Sequence, residues 1–434
     1  MGGADRISAL PEEIKISILS RLNVKYAIRT SALARSWRHL WTHLPCLRLG
    51  IGCDRDLLDY DNDSGDLRVT SDWIERVSNL ISSLRGPLVV FKLSHLFRTR
   101  QSPLVQNLLH LLLQKGGVET LHLSSCFEKV HVHLPPFHSL KVLRLFGCHV
   151  LLPAGFRGFN SLTNLCLDHV EISNDHLHFL IHTSNNLTTF MALYFVTAQV
   201  PLSVNISSPL LRHLNFQIDD SVDKVSVISA PCLEQVEIST SNHTDSSSKK
   251  FAPVALGLLI SISMVSSLNL YSPILKCLSL VTLPFNFTFP RLRSLTFCFF
   301  IDTMVKTMYD AFFRLLRSMP FVEELKLLCP YSNQNNCVEI LKQELLEKKR
   351  EGISCLNQTL EIVTINMKNV MIGVILGNFF LLNARVLKLM KFECSTWSVI
   401  KPSMIKELQK AEVTSSAAKV VIFCHKENVS INIK

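Results

Sequence analysis

Histidines 131 and 133 stand two residues apart, so on a strand both imidazoles would share one face and could ligate a divalent metal. No Cys or carboxylate cluster accompanies them, and the expectation is solvent-facing loop histidines without a metal. The thirteen cysteines offer thiolate chemistry, yet they are scattered, with no C-x-x-C. There is no P-loop, nucleophile elbow or dinucleotide fingerprint. Ser, His and Asp are abundant enough that chance pairs carry no weight. The residues point to a chain that binds rather than catalyses, with no cofactor expected.

The densest binding chemistry lies in residues 10–41, LPEEIKISILSRLNVKYAIRTSALARSWRHLW. Pro11 suits a helix start, and Glu12 and Glu13 place carboxylates at the positive end of the helix dipole. Ile14, Ile18, Leu19 and Leu22 form one helical stripe. Leu33, Trp37, Leu40 and Trp41 form a second, with a short link between them. About 32 residues in three short helices hold more large apolar groups than they can bury alone, which marks a docking face.

These residues closely resemble an F-box of the plant type, the segment that docks the Skp adaptor of a cullin ubiquitin ligase. The resemblance rests on Leu10-Pro11, Ile14, Ile18-Leu19, Leu22, Ala27, Arg29-Thr30, Leu33, Arg35, Trp37 and Leu40-Trp41. It departs from the pattern at Asn23, where the family has Pro, and at Ala34, where it has Ser. It implies adaptor contacts by Leu10, Pro11, Ile14, Ile18, Leu19, Leu22, Leu33, Trp37, Leu40 and Trp41.

Residues 1–48 carry eight Lys/Arg against three acids, which would steer an acidic partner, and the whole chain is +10. No aromatic-interleaved basic patch accompanies that charge, so no nucleic acid is expected. Lys249-Lys250 and Lys348-Lys349-Arg350 are weak nuclear-import hints. Hydrophobic content of 47% with 18% charge excludes bulk disorder. The odd cysteine count and the lack of a signal peptide suggest a reduced intracellular chain, cytoplasmic or nuclear. Residues 251–270 lack charge, and their length alone would admit a membrane span. Pro253, four serines and Asn269 argue against it, so packing within the fold is expected and no membrane. The run 370–382 is too short to span.

Residues 49–85 read as a connector, acidic over 54–66 and then helical from Asp72 through Trp73, Val77, Leu80 and Leu84. Beyond it a unit of apolar-x-x-apolar-x-apolar repeats: Leu88/Phe91/Leu93, Val118/Leu121/Leu123, Leu140/Leu143/Leu145, Leu162/Leu165/Leu167 and Leu187/Phe190/Ala192. It continues at Leu211/Leu214/Phe216, Leu233/Val236/Ile238, Leu275/Leu278/Leu280, Leu292/Leu295/Phe297 and Val322/Leu325/Leu327. From Val118 onward the steps are 22, 22, 25, 24, 22, 42, 17 and 30 residues, mostly the spacing of leucine-rich repeats. One such strand has no core; stacked in parallel, the leucines join into a ladder. Cys126 and Cys148 fill the inward repeat position that the family gives to Asn or Cys, and few helices are expected between the strands.

Alternate strand residues face the other way, onto the concave side. They include Arg144, Phe146, Asn164, Asp168, His213, Asn215, Gln217, Gln235, Glu237, Glu324 and Lys326. Of these, Arg144, Asp168, His213, Gln235 and Glu237 are the candidate target contacts. A charged helix over 338–350 precedes a final segment with a strand pattern at Leu360, Ile362 and Ile365. An apolar helix over 370–382 and strands over 383–390 and 420–424 follow. That segment resembles the FBD domain of plant F-box proteins, though its helix is unusually apolar.

The expected fold is α/β: a three-helix F-box at 5–48, a connector at 49–85, an irregular solenoid with a parallel sheet at 86–335, and an α+β FBD segment at 353–434. The resemblance implies a non-catalytic substrate-recognition subunit of an SCF-type E3 ubiquitin ligase, joined through the adaptor to cullin and presenting a protein target. A small-molecule or hormone co-receptor and a non-degradative adaptor-binding scaffold are the alternatives.

Overall fold

The structure is a computed structural model. It describes residues 7, 9–50, 71–195, 202–241, 245–298, 306–329, 353–367, 370–394, 408, 413–424 and 429–433. The chain divides into two units, Met1–Leu211 with Ser229–Pro231, and Arg212–Ile228 with Cys232–Lys434.

The first unit begins with two α-helices, α1 (Glu12–Leu19) and α2 (Val24–Arg29). Asn23 caps α2, its side chain accepting the Lys25 N–H at 2.8 Å. A side-chain cap thus starts the helix where the family uses proline. The expected third helix is instead three 3-10 turns, Thr30–Ala32, Arg35–Trp37 and Leu40–His43. Ala34 is extended (φ −157°, ψ 157°) and interrupts helical continuity between the first two. Leu19, Val24, Ala27, Trp37, Leu40 and Leu44 bury together, and the Lys15 ammonium lies 5.9 Å from the Trp37 ring centroid.

The expected boundary at 48/49 falls within a strand, because β1 (Cys46–Gly50) already belongs to the sheet. Leu44, Leu47 and Leu49 are its buried repeat residues. The N–H groups of Arg85 and Gly86 donate to Thr42 O, and those of Val89 and Val90 to Pro45 O, tying the helical segment to the first repeats. The predicted connector helix is α3 (Ser71–Ser83). The acidic stretch over 54–66 lies outside the described residues.

Parallel strands β2 (Val90–His95) and β3 (Thr120–Ser125) follow. A small parallel pair, β4 (Val130–His133) with β6 (Cys148–Leu151), flanks β5 (Val142–Phe146) in sequence. β7 (Asn164–Asp168) and β8 (Thr189–Leu193) extend the main sheet. In register, Leu47, Phe91, Leu121, Leu143, Leu165 and Phe190 form one buried row. Leu49, Leu93, Leu123, Leu145, Leu167 and Ala192 form the next. Two glycines make the close turns possible. A Cβ on Gly50 (φ 114°) would meet Ser94 O at 1.7 Å, and one on Gly147 (φ 63°) would meet Ser125 O at 2.1 Å.

Helices α4 (Ser102–Lys115) and α5 (Asn174–Thr183) lie between strands in this unit, which also holds β9 (Leu202–Ser207). In the second unit, β10 (His213–Ile218), β11 (Val222–Ser229) and β12 (Gln235–Thr240) precede α6 (Asp245–Ser261). The expectation of few helices between strands is therefore corrected: α4 has 14 residues and α6 has 17. Val105, Leu108, Leu109 and Leu112 of α4 are buried. Residues Phe251, Ala255, Leu258 and Leu259 of α6 are buried, and no helix among the described residues is long and apolar enough to cross a membrane.

The repeat expected at Leu275/Leu278/Leu280 is helical, α7 (Ser272–Ser279). Pro273 sits in its first turn, and Ile274, Leu275, Cys277 and Leu278 bury at helical spacing. The strand lies earlier, at β13 (Ser267–Tyr271), with Val265, Leu268 and Leu270 inward. Steps of 42 and 17 thus become 32 and 27. After it come β14 (Ser294–Cys298), α8 (Lys306–Arg317) and β15 (Glu324–Cys329).

The final segment does not form a separate layer. A short helix, α9 (Ser354–Gln358), leads to β16 (Ile362–Met367), which pairs in parallel with β15. Helix α10 (Val370–Asn383) follows, then β17 (Leu389–Cys394), β18 (Lys419–Cys424) and an antiparallel closing strand, β19 (Val429–Ile433). Val363 and Ile365 turn inward in β16 while Ile362 is half-buried, which shifts the expected alternation by one residue. Within this unit Phe216, Ile238, Leu270, Phe297, Leu327, Ile365, Phe392 and Ile422 form one continuous buried row. The charged helix expected over 338–350 lies outside the described residues.

One buried ionisable group gives a stability prediction. His95 on β2 is buried, with its ring edge-on to Trp73 at 4.8 Å and its Nδ1 accepting the Leu96 N–H at 2.8 Å. Burial pushes its pKa down to about 4 from 6.5. The unfolded chain binds this proton more readily, so the contribution is whole above pH 6.5 and is lost as pH falls towards 4. The full loss is about 3 kcal/mol. Urea midpoints for the parent chain should fall more steeply over that window than for His95→Leu; equal slopes would contradict the assignment.

Candidate functional site

The ten predicted docking residues sort by exposure. Ile14 (48% exposed), Ile18 and Leu22 recur every four residues on and after α1 and stay exposed. Leu33 is 76% exposed, Pro11 is exposed, and Leu10 and Trp41 are half-buried. Leu19, Trp37 and Leu40 are buried against their own chain and cannot present surface. In the free chain they pack within the helical segment, on α1 and in the 3-10 turns. Tyr26, also exposed, was missed because the helical stripe did not include it. Arg29 lies over its ring at 5.9 Å.

The predicted target residues divide between the units. In the first, Arg144 is exposed at the centre of β5. Asp168 accepts from His169 Nδ1 at 2.7 Å, so its charge already has a local partner. His169 (φ 52°) and Tyr194 (φ 46°) hold left-handed backbone at the ends of β7 and β8, and their rings lie 4.5 Å apart. In the second unit, His213 pairs in register with Gln235, and Asn215 with Glu237. Glu237 accepts a hydrogen bond from Tyr271 Oη at 2.7 Å. Desolvation and that carboxylate push the Tyr271 hydroxyl pKa up, keeping it a donor. Tyr271 was not anticipated, because the strand carrying it was assigned too late in the sequence.

A further row emerges in the first unit. Arg48, Lys92, His122 and Arg144 stand opposite one another on β1, β2, β3 and β5. Each occupies the outward position between two ladder residues: Leu47-Arg48-Leu49, Phe91-Lys92-Leu93, Leu121-His122-Leu123, Leu143-Arg144-Leu145. Arg144 was expected here; reading the same middle position down successive repeats would also have found Arg48, Lys92 and His122.

Cys148 is buried, and burial pushes its thiol up to about 12. Cys126, expected beside it as an inward residue, is exposed. β3 runs on to Ser125, so Ser124 and Ser125 bury instead and Cys126 falls in the bend, its N–H donating to His95 O at 2.9 Å. In β5, by contrast, Gly147 turns the chain early and sends Cys148 inward. His131 and His133, expected in a loop, lie on β4. His131 faces His149 with Nδ1 atoms 3.4 Å apart, and among the described residues no group of three or more His, Cys, Asp or Glu is placed to hold a metal.

A helical module with an exposed apolar face, joined to a parallel leucine ladder, defines an F-box and leucine-rich-repeat architecture. Comparison with known proteins agrees: residues 7–49 match the F-box domain, and residues 105–257 match the model for "FBD-associated F-box protein At5g56370, LRR repeats". An F-box/FBD/LRR-repeat protein of Arabidopsis thaliana is 28% identical over 243 residues, covering 56% of this chain and 55% of the relative. Another of that description, also from Arabidopsis thaliana, is 31% identical over 221 residues, 48% of this chain and 45% of the relative. An F-box protein from the same plant is 53% identical over 47 residues, 11% of this chain and 12% of its own length. The chain spans about half or less of the length of these relatives. F-box domains as a class bind Skp-type adaptors.

Proposed function

We propose that this chain is a substrate-recognition subunit of an SCF-type E3 ubiquitin ligase. The observation that carries the reading is the F-box match at residues 7–49 together with Ile14, Ile18, Leu22 and Leu33 left exposed on that same segment. Apolar groups of this size are stabilised by a partner that covers them. The F-box docks the Skp-type adaptor, which links to cullin. In the first unit the sheet face opposite the leucine ladder offers Arg144 and Asp168 to a protein target; in the second unit the corresponding face offers His213, Gln235 and Glu237. Catalysis is then positional: the target's lysines are held at high effective concentration near the charged conjugating enzyme, while this chain makes and breaks no bonds.

Two details favour a protein target over a small-molecule ligand. The basic residues of the first unit stand in an open row, one per strand, and do not converge on a point. Asp168 and Glu237 are each engaged by a neighbour, His169 and Tyr271. The test is tandem affinity purification of the full chain from plant cells with the proteasome blocked. Adaptor and cullin should co-purify. Absence of both overturns the reading, and adaptor without cullin supports a non-degradative scaffold.

A further inference from the structure

From the register of the first unit's sheet we infer that the row Arg48, Lys92, His122 and Arg144 is a docking strip for an extended, carboxylate-rich segment of the target protein. The inference rests on the reading of this sheet face as the target-holding surface and names the chemistry it selects.

The four residues occupy one level of four adjacent parallel strands. Adjacent strands lie about 4.8 Å apart, so the row spans about 14 Å. Among the described residues no acid forms an ion pair with Arg48, Lys92 or Arg144. In the two flanking levels of the same strands stand Cys46, Val90, Thr120 and Val142 on one side and Gly50, Ser94, Ser124 and Phe146 on the other. None is acidic. The nearest carboxylate in those levels is Asp168, one strand beyond the row and hydrogen-bonded to His169.

The shape of this charge selects the ligand. Three cations, Arg48, Lys92 and Arg144, with the His122 imidazole among them, are strung over about 14 Å and suit a linear anion better than a single phosphate, which would be reached by one or two of them. An extended polypeptide rises about 3.3 Å per residue, so some four residues cover the row, and flexible Arg and Lys stems absorb the mismatch with the strand spacing. Single-stranded nucleic acid would also match the charge, but it draws on aromatic rings interleaved with the cations. Here the flanking levels are small or aliphatic apart from Phe146.

His122 supplies an independent readout. It is half-buried, with Lys92 facing it from β2 and Arg144 from β5. Desolvation first, then these two cations, hold its pKa below the usual 6.5. A bound carboxylate favours the imidazolium, so binding takes up a proton and tightens as pH falls.

The experiment uses the full chain, with and without adaptor, and a fluorescent glutamate-rich peptide of about eight residues, long enough to overrun the row. Anisotropy should show binding that weakens as salt rises. An Arg48→Gln/Arg144→Gln variant should lose at least about tenfold in affinity, with its melting curve unchanged and adaptor capture intact. Lys92→Gln provides the same test should the double variant fold poorly. The parent should bind more tightly near pH 5.5 than near pH 7.5, by roughly threefold or more, and His122→Gln should lose that difference. A glutamine-substituted peptide should not bind. Unchanged affinity in folded double and single variants overturns the inference, as does an oligonucleotide of equal charge that binds more tightly than the peptide. Loss of adaptor capture by the parent chain, with peptide binding retained, would count against the ligase reading alone.

Discussion

Replacing Ile14 and Leu33 with aspartate should abolish recovery of a Skp-type adaptor while the chain stays folded. Both side chains are exposed, so the substitution removes nothing from the chain's own core. Burying each against a partner would contribute roughly 1.5–3 kcal/mol, and the pair together more than about a hundredfold in affinity. Aspartate adds the cost of desolvating a charge. Leu19→Ala and Trp37→Ala should also lose the adaptor, by a different route. Their side chains are buried within the F-box, and truncation costs roughly 2–5 kcal/mol by leaving a cavity. Thermal melts separate the two cases: the aspartate pair should melt with the parent, the alanine variants well below it. Undiminished adaptor recovery by Ile14→Asp/Leu33→Asp would place the docking face elsewhere.

The second large effect contrasts neighbours in the chain. Leu143→Ala should destabilise the fold by roughly 2–5 kcal/mol, whereas Arg144→Gln should stay within about 0.5 kcal/mol. Leu143 is fully buried between Leu121 and Leu165 of the adjoining strands, so its loss opens a cavity in a row whose members support one another. Arg144 faces outward one residue later. Urea unfolding of the two variants decides it, and equal destabilisation would contradict the strand register.

Much of the ladder is legible residue by residue. Period-two alternation assigns sides within a strand, and it placed Leu121/Leu123, Leu143/Leu145 and Leu165/Leu167 inward. The same rule failed at Leu275/Leu278/Leu280, because an apolar spacing of three residues fits a helix as well as a repeat. Pro273 starting α7 resolved it. It failed again at Cys126, where strand length and the turn decided which residue goes inward, and turn geometry depends on what the neighbouring strand leaves open. In the last segment the patterns around 360–365 and 420–424 do lie on strands, the strand expected over 383–390 begins only at Leu389, and no pattern showed their partners. Nothing in the local pattern around 360–365 says that β16 lies beside β15 and continues its rows.

In the docking segment, the sequence alone determined that residues 10–41 carry too much apolar surface for a small helical module, since residue type and helical period are local properties. Only the tertiary structure divided that surface, burying Leu19, Trp37 and Leu40 and leaving Ile14, Ile18, Leu22 and Leu33 outside. The division depends on how α1 meets the 3-10 turns that follow Ala34. The basic row shows the same limit at longer range. Each of Arg48, Lys92, His122 and Arg144 is recognisable as an outward residue of its own repeat. They are 44, 30 and 22 residues apart in the chain, and parallel strand pairing alone makes them neighbours. Side-chain direction is settled within a few residues, whereas adjacency across strands is settled by register, which belongs to the stacked sheet and to no single stretch of sequence.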